Sequence, residues 1–132
     1  MSFKSEGRPV ILIADDERLN RDLVRTFLES AGYVVIEATN GPDALALAQT
    51  EQPALAMLDV RMHGMSGYEV TRALKSDPTT AQMKVVILSA QNRATDQEAA
   101  REAGADDYLY KLLDWSEIMK RVNALVVASD TP

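Results

Sequence analysis

The chain has 132 residues, 46% of them hydrophobic and none of them cysteine, and 14 basic against 20 acidic side chains leave a net charge of −6. One domain of this length buries enough surface to need no disulfide or metal staple, so a disulfide-built secreted fold, a zinc ribbon and a thiol enzyme are excluded. The acidic balance disfavours direct binding to nucleic acid or an anionic membrane, and neither a membrane span nor a signal-peptide core is visible, so a cytoplasmic location is expected.

In chain order, residues 1–8 read as an N-terminal extension. Residues 10–14 form the first continuous apolar run, and Leu19, Leu23, Val24, Phe27, Leu28 and Ala31 then fall on one stripe at helical spacing, with Gly32 as its stop. A second run covers 33–36, after which Gly41 and Pro42 suit a helix start, Pro42 at its first position. The third run, 54–58, is followed by Ser66 and Glu69, spaced as a capping box. Residues 76–83 read as a loop, and 85–88 as the fourth run. Thr95 and Glu98 are spaced as a further capping box, Gly104 as a helix stop, and 108–110 as the fifth run. Asp114 and Glu117 repeat the capping spacing ahead of a stripe of Ile118, Met119, Val122, Leu125 and Val126. Residues 129–132 look like a tail or the stump of a linker, which leaves 9–128 as the domain.

Short apolar runs without in/out alternation are the pattern of strands covered on both faces. Their strict alternation with helices predicts an α/β fold: a doubly wound, five-stranded parallel sheet of order 2-1-3-4-5, flavodoxin-like, with its crevice between strands 1 and 3.

Polar residues end the runs. Asp15 and Asp16 follow the first, Asp59 the third, Ser89 the fourth and Lys111 the fifth. All these ends share one edge of a parallel sheet, so the groups gather within roughly 15 Å. Taken singly, an Asp or Ser there is ordinarily a helix cap or turn residue, and a lone lysine is ordinarily solvated. Taken together they are an electrostatic problem, because like charges ~5 Å apart at an effective dielectric near 20 cost about 3 kcal/mol per pair. Raised carboxylate pKa values or a bound cation would relieve it. Oxygen donors without His or Cys select a hard ion such as Mg²⁺. A gap bounded by a metal, an ammonium and a hydroxyl suits a phosphoryl group, and a facing carboxylate can act as its nucleophile.

The segments 11–17, 57–69, 85–90 and 104–111 resemble the receiver domains of two-component response regulators, and the resemblance spans about residues 10–127. It implies that Asp59 is the phosphoacceptor for a partner kinase's phosphohistidine. Mg²⁺ would be ligated by Asp16, Asp59 and the backbone carbonyl of Arg61, with Asp15 acting through a water. Lys111 would pair with Asp59 or with a phosphoryl oxygen, Ser89 would be the switch hydroxyl, and Tyr108 the aromatic that moves inward with it; an ordinary strand aromatic is the plainer reading of Tyr108. Arg61 and Gln91 resemble positions that tune the lifetime of the phosphorylated form. Implied partners are a sensor histidine kinase or phosphotransfer protein and a downstream effector. The output face would be the fourth helix, fifth strand and fifth helix. Asp107, Glu117 and Arg121 there resemble charges that pair across phosphorylation-dependent homodimers, although Gln97 replaces the expected basic partner. Trp115 reads equally as an interface anchor or as cover for the last helix.

Two further departures stand out. Leu112 follows the lysine where the family usually has a cis proline, so a trans Lys111–Leu112 bond and some displacement of the lysine are expected. His63 stands where proline is frequent and reads as an exposed loop residue. Three other functions remain open at this level: a receiver that binds partners without phosphorylation, a flavodoxin-like cofactor binder, and a hydrolase with an Asp nucleophile. The acids after the first run argue against the second, and Arg61 in place of a second acid argues against the third.

Overall fold

A computed structural model describes residues 7–112 and 114–129. The expected extension at 1–8 and tail at 129–132 therefore lie almost wholly outside the described residues. Five strands, β1 (Val10–Ala14), β2 (Val34–Ala38), β3 (Leu55–Leu58), β4 (Lys84–Ser89) and β5 (Asp107–Tyr110), alternate with five helices. The helices are α1 (Arg18–Ser30), α2 (Gly41–Glu51), α3 (Gly67–Ser76), α4 (Ala94–Ala103) and α5 (Trp115–Ser129). The strands form one parallel sheet in the order β2-β1-β3-β4-β5, as the alternation predicts.

Successive side chains of each central strand enter opposite cores, and this explains the unbroken apolar runs. Leu12, Leu58, Val85 and Ile87 pack against Ala44 and Ala48 of α2, Val70 and Leu74 of α3 and Ala100 of α4. On the other face, Ile11, Ile13, Leu55, Met57, Val86 and Leu88 meet Val24 and Leu28 of α1 and Ile118, Val122 and Val126 of α5. Among the described residues no helix is long and apolar enough to cross a membrane.

The helix signals need correction in places. Only Val24 and Leu28 of the α1 stripe are buried, whereas Leu19 is 82% exposed and Leu23 and Ala31 are also exposed. Leu19, Leu23 and Phe27 form a line one position round the helix from the buried edge. Phe27 on that line stacks on Trp115 at 4.5 Å, which makes Trp115 cover for the start of α5. Asn40 caps α2 by accepting from the Asp43 N–H (2.8 Å), so Pro42 occupies the second helical position rather than the first. The Ser66–Glu69 capping box is reciprocal, at 3.1 and 2.8 Å. The Thr95–Glu98 box is not formed. α4 starts at Ala94 with Arg93 as its cap, two residues earlier than that box requires, and Asp96 accepts from the N–H and the guanidinium of Arg93. Asp114 caps Ser116 instead of Glu117, whose carboxylate turns to Arg121 (3.1 Å).

Candidate functional site

The parallel sheet delivers the polar residues to one edge, and local hydrogen bonds then aim them. The Asp15 N–H donates to Ala38 O (3.2 Å), and its Oδ1 accepts from the Glu17 N–H (2.9 Å), a turn that ends β1 and opens α1. The Asp59 N–H donates to Ala14 O (2.9 Å), and its Oδ1 accepts from the Val60 N–H (2.9 Å). The Lys111 N–H donates to Ser89 O (2.7 Å), carrying the β5 pairing one residue past the strand. Behind Asp59 the chain folds back tightly, and Gly67 permits it. A Cβ on Gly67 would stand 2.3 Å from the Asp59 carbonyl oxygen, well inside van der Waals contact. Gly41 plays a similar part at the start of α2, where a Cβ would lie 2.3 Å from Met65 O.

Oxygens of Asp15, Asp16 and Asp59 come within 4.8 Å of one another, although Asp59 lies 44 and 43 positions after the other two in the chain. Lys111 Nζ lies 3.2 Å from Asp15 Oδ2 and 3.4 Å from Asp59 Oδ1. Asp15 is buried, Asp59 and Lys111 are half-buried or better, and Asp16 is at the exposed rim. Burial pushes the Asp59 carboxyl up to about 6; the Lys111 ammonium opposes the rise, and the Asp15 charge adds to it. Burial works to lower the Lys111 pKa, but Asp59 and Asp15 outweigh it, so the pKa is raised and the ammonium persists. One cation among three acids leaves an excess of negative charge that a divalent ion would neutralise. The donors are all carboxylate oxygens, which suits a hard ion such as Mg²⁺.

Beyond the acids a cleft of about 380 Å³ opens between the β3–α3 and β4–α4 connections. The buried Ser89 lines it, as do the exposed Arg61 and Gln91. Ser89 Oγ accepts from the Gln91 N–H (3.0 Å), and the half-buried Tyr108 donates its hydroxyl to Gln91 O. Burial raises the Tyr108 pKa, with the Ser89 hydroxyl opposing the rise. Every side chain singled out in the sequence for the pocket thus lies at this edge. Tyr68, Arg93 and Asp96 also line the cleft and were not anticipated. They sit within helices or at a cap, where nothing in one sequence distinguishes them from surface residues.

The departures resolve simply. The Lys111–Leu112 bond is trans, and the ammonium still reaches both acids, so the expected displacement does not part it from them. His63 is 91% exposed, with Nδ1 4.0 Å from Asp16 Oδ2. On the α4–β5–α5 side, Arg121 pairs with Asp107 (3.4 Å) and Glu117 (3.1 Å) within the chain, and Gln97 binds Asn92.

The family model of the response regulator receiver domain matches residues 11–123. The chain belongs to that family. This receiver domain is 35% identical over 116 residues to the protein PilH of Pseudomonas aeruginosa, covering 88% of the chain and 96% of PilH. It is 41% identical over 122 residues to the DNA-binding dual master transcriptional regulator RpaA of Synechocystis, covering 92% of the chain but spanning about half (51%) of RpaA. Among solved structures, a putative response regulator from Chloroflexus aurantiacus superposes with a TM-score of 0.87 at 30% identity, covering 91% of this chain and 98% of that one. The receiver domain of the sensor histidine kinase PA1611 from Pseudomonas aeruginosa shares the fold, with a TM-score of 0.84 at 24% identity, covering 91% and 98% of the two chains. That protein holds a magnesium ion in its active-site cleft.

Proposed function

We propose that this receiver domain accepts a phosphoryl group on Asp59 from the phosphohistidine of a sensor histidine kinase or phosphotransfer protein, and that the acyl phosphate biases contacts with a downstream effector. One observation carries the reading: three carboxylates distant in sequence converge within 4.8 Å, with a lysine 3.4 Å from the one best placed as nucleophile. With its pKa near 6, Asp59 is mostly ionised at neutral pH and so able to attack. An Asp59 oxygen bonds to phosphorus as the phosphorus–nitrogen bond breaks, and the electron pair returns to the imidazole of the donor. Lys111 would pair with a phosphoryl oxygen, and Ser89 would donate its hydroxyl to another.

Asp16, Asp59 and the backbone carbonyl of Arg61 would hold Mg²⁺, with Asp15 acting through a water. Bound there, the ion would neutralise the acids and the charge on the transferring group. Arg61 and Gln91 at the mouth would set how long the acyl phosphate survives water; Arg61 screens the approach, so Arg61→Ala should lose its phosphoryl group faster. This slow loss is the only hydrolysis assigned to the domain, which acts as a switch and not as an enzyme with turnover. The Ser89–Gln91–Tyr108 contacts link the pocket to the α4–β5–α5 face, where effector docking or a phosphorylation-dependent homodimer would read a shifted population. Such signalling belongs in the cytoplasm. Leu112 gives no support to a phosphorylation-independent receiver, since Lys111 meets its acids without the proline.

The test is intact mass after incubation with acetyl phosphate and Mg²⁺. One added phosphoryl group is expected in the unaltered chain and none in Asp59→Asn; equal labelling of both would overturn the assignment.

A further inference from the structure

Behind the carboxylates, on the α1 side of the sheet, lies a second cation, Arg21. Arg21 Nη1 donates to the carbonyl of Asp15 (2.9 Å), Nε lies 3.2 Å from Glu37 Oε1, and the side chain is only 14% exposed. Glu37 stands on β2 opposite Ile13 and also binds Arg25 of α1. The β1 ladder has its last pairs at Ala14, with Ala38 on one side and Leu58 on the other. The Asp15 carbonyl falls beyond them, where the strands no longer supply a partner, and the guanidinium satisfies it. That carbonyl belongs to the peptide joining Asp15 to Asp16.

A guanidinium here has two opposed effects on a divalent ion held by the acids. Its charge repels the ion. Its hydrogen bond fixes the peptide between two adjacent ligand residues, the kind of outer support that keeps ligands in register. Glu37 moderates the first effect by pairing with Arg21, and it leaves the second intact. Lysine would replace this arrangement only in part, because its single ammonium lacks the planar fork that presents separate nitrogens to the carbonyl and the carboxylate.

We propose that Arg21 is a positioning residue for the cation site, locking the Asp15–Asp16 peptide while Glu37 offsets its charge. The inference rests on the reading of Asp15, Asp16 and Asp59 as a Mg²⁺ site.

Calorimetric titration of the full chain with MgCl₂ tests it, comparing the unaltered protein with Arg21→Gln and Arg21→Lys after circular dichroism has established folding. Charge alone predicts tighter Mg²⁺ binding in Arg21→Gln and no change in Arg21→Lys. Positioning predicts the opposite sign: about 10-fold weaker binding in Arg21→Gln, with a smaller loss, about 3-fold, in Arg21→Lys. Equal or tighter binding by a folded Arg21→Gln protein overturns the proposal. Should that variant fail to fold, Arg21→Lys decides: unchanged affinity overturns the proposal and weakened affinity supports it. An unaltered protein that binds no Mg²⁺ overturns the cation-site reading and the inference with it, whereas normal binding with unaffected variants overturns the inference alone.

Discussion

Asp59→Asn should stabilise the metal-free protein. The Asp59 side chain is 14% exposed, and burial pushes its carboxyl from 3.8 up to about 6. A folded state that holds the proton more tightly than the unfolded chain gains stability below pH 3.8 and loses it as pH rises through about 6. The full difference corresponds to at most ~3 kcal/mol above that range, and solvent in the open cleft reduces it to about 1–2 kcal/mol. Asparagine cannot ionise, and its amide oxygen can keep the bond from the Val60 N–H. Thermal denaturation in EDTA at pH 7.5 should therefore place Asp59→Asn about 3–10 °C above the unaltered protein. By pH 4.5, where the folded carboxyl already carries its proton, the gap should shrink to about a third. A variant that melts at or below the unaltered protein at pH 7.5, or a gap that ignores pH, would refute the reasoning.

Other perturbations probe the same edge of the sheet. Gly67→Ala forces a Cβ to 2.3 Å from Asp59 O, and urea unfolding should show a loss of about 2–4 kcal/mol. Lys111→Met removes the ammonium shared by Asp15 and Asp59; the metal-free protein should lose about 1–3 kcal/mol at pH 7.5 and recover much of it at pH 4.5, as equilibrium unfolding at the two pH values would show. His63→Ala removes an imidazole that is 91% exposed, so Mg²⁺ affinity by calorimetry should stay within about 2-fold and stability within ~0.5 kcal/mol.

The strands and the sheet order were readable because the apolar runs of the central strands β1, β3 and β4 are buried on both faces, so burial in the fold and hydrophobicity in the sequence coincide there. Asp15, Asp16, Asp59, Ser89 and Lys111 were readable for a related reason. Parallel strands present their C-terminal ends on one edge, and the first polar residue after each run marks that end. Helix boundaries carried less information. In α1 the apolar spacing extended to Leu19 and Leu23, which a helix lying against only one face of a sheet leaves outside. At α4 the Thr95–Glu98 spacing misled, because the helix starts ahead of it and Asp96 closes back on Arg93, a residue type that does not mark a helix start in sequence. Arg21 gave no signal at all, since an arginine one turn into an amphipathic helix looks solvated until the carbonyl it reaches is located. Tyr68, Arg93 and Asp96 were hidden in the same way, by a cleft that only the packing of α3 and α4 creates.

The most direct measurement maps where the phosphoryl group goes. Acyl phosphates are reduced by borohydride to the corresponding alcohol, so the chain would be incubated with acetyl phosphate and Mg²⁺, reduced, digested and sequenced by tandem mass spectrometry. Homoserine at position 59 is the predicted result; homoserine at 15 or 16, or an aspartate at 59 left untouched while the protein is labelled elsewhere, would contradict it.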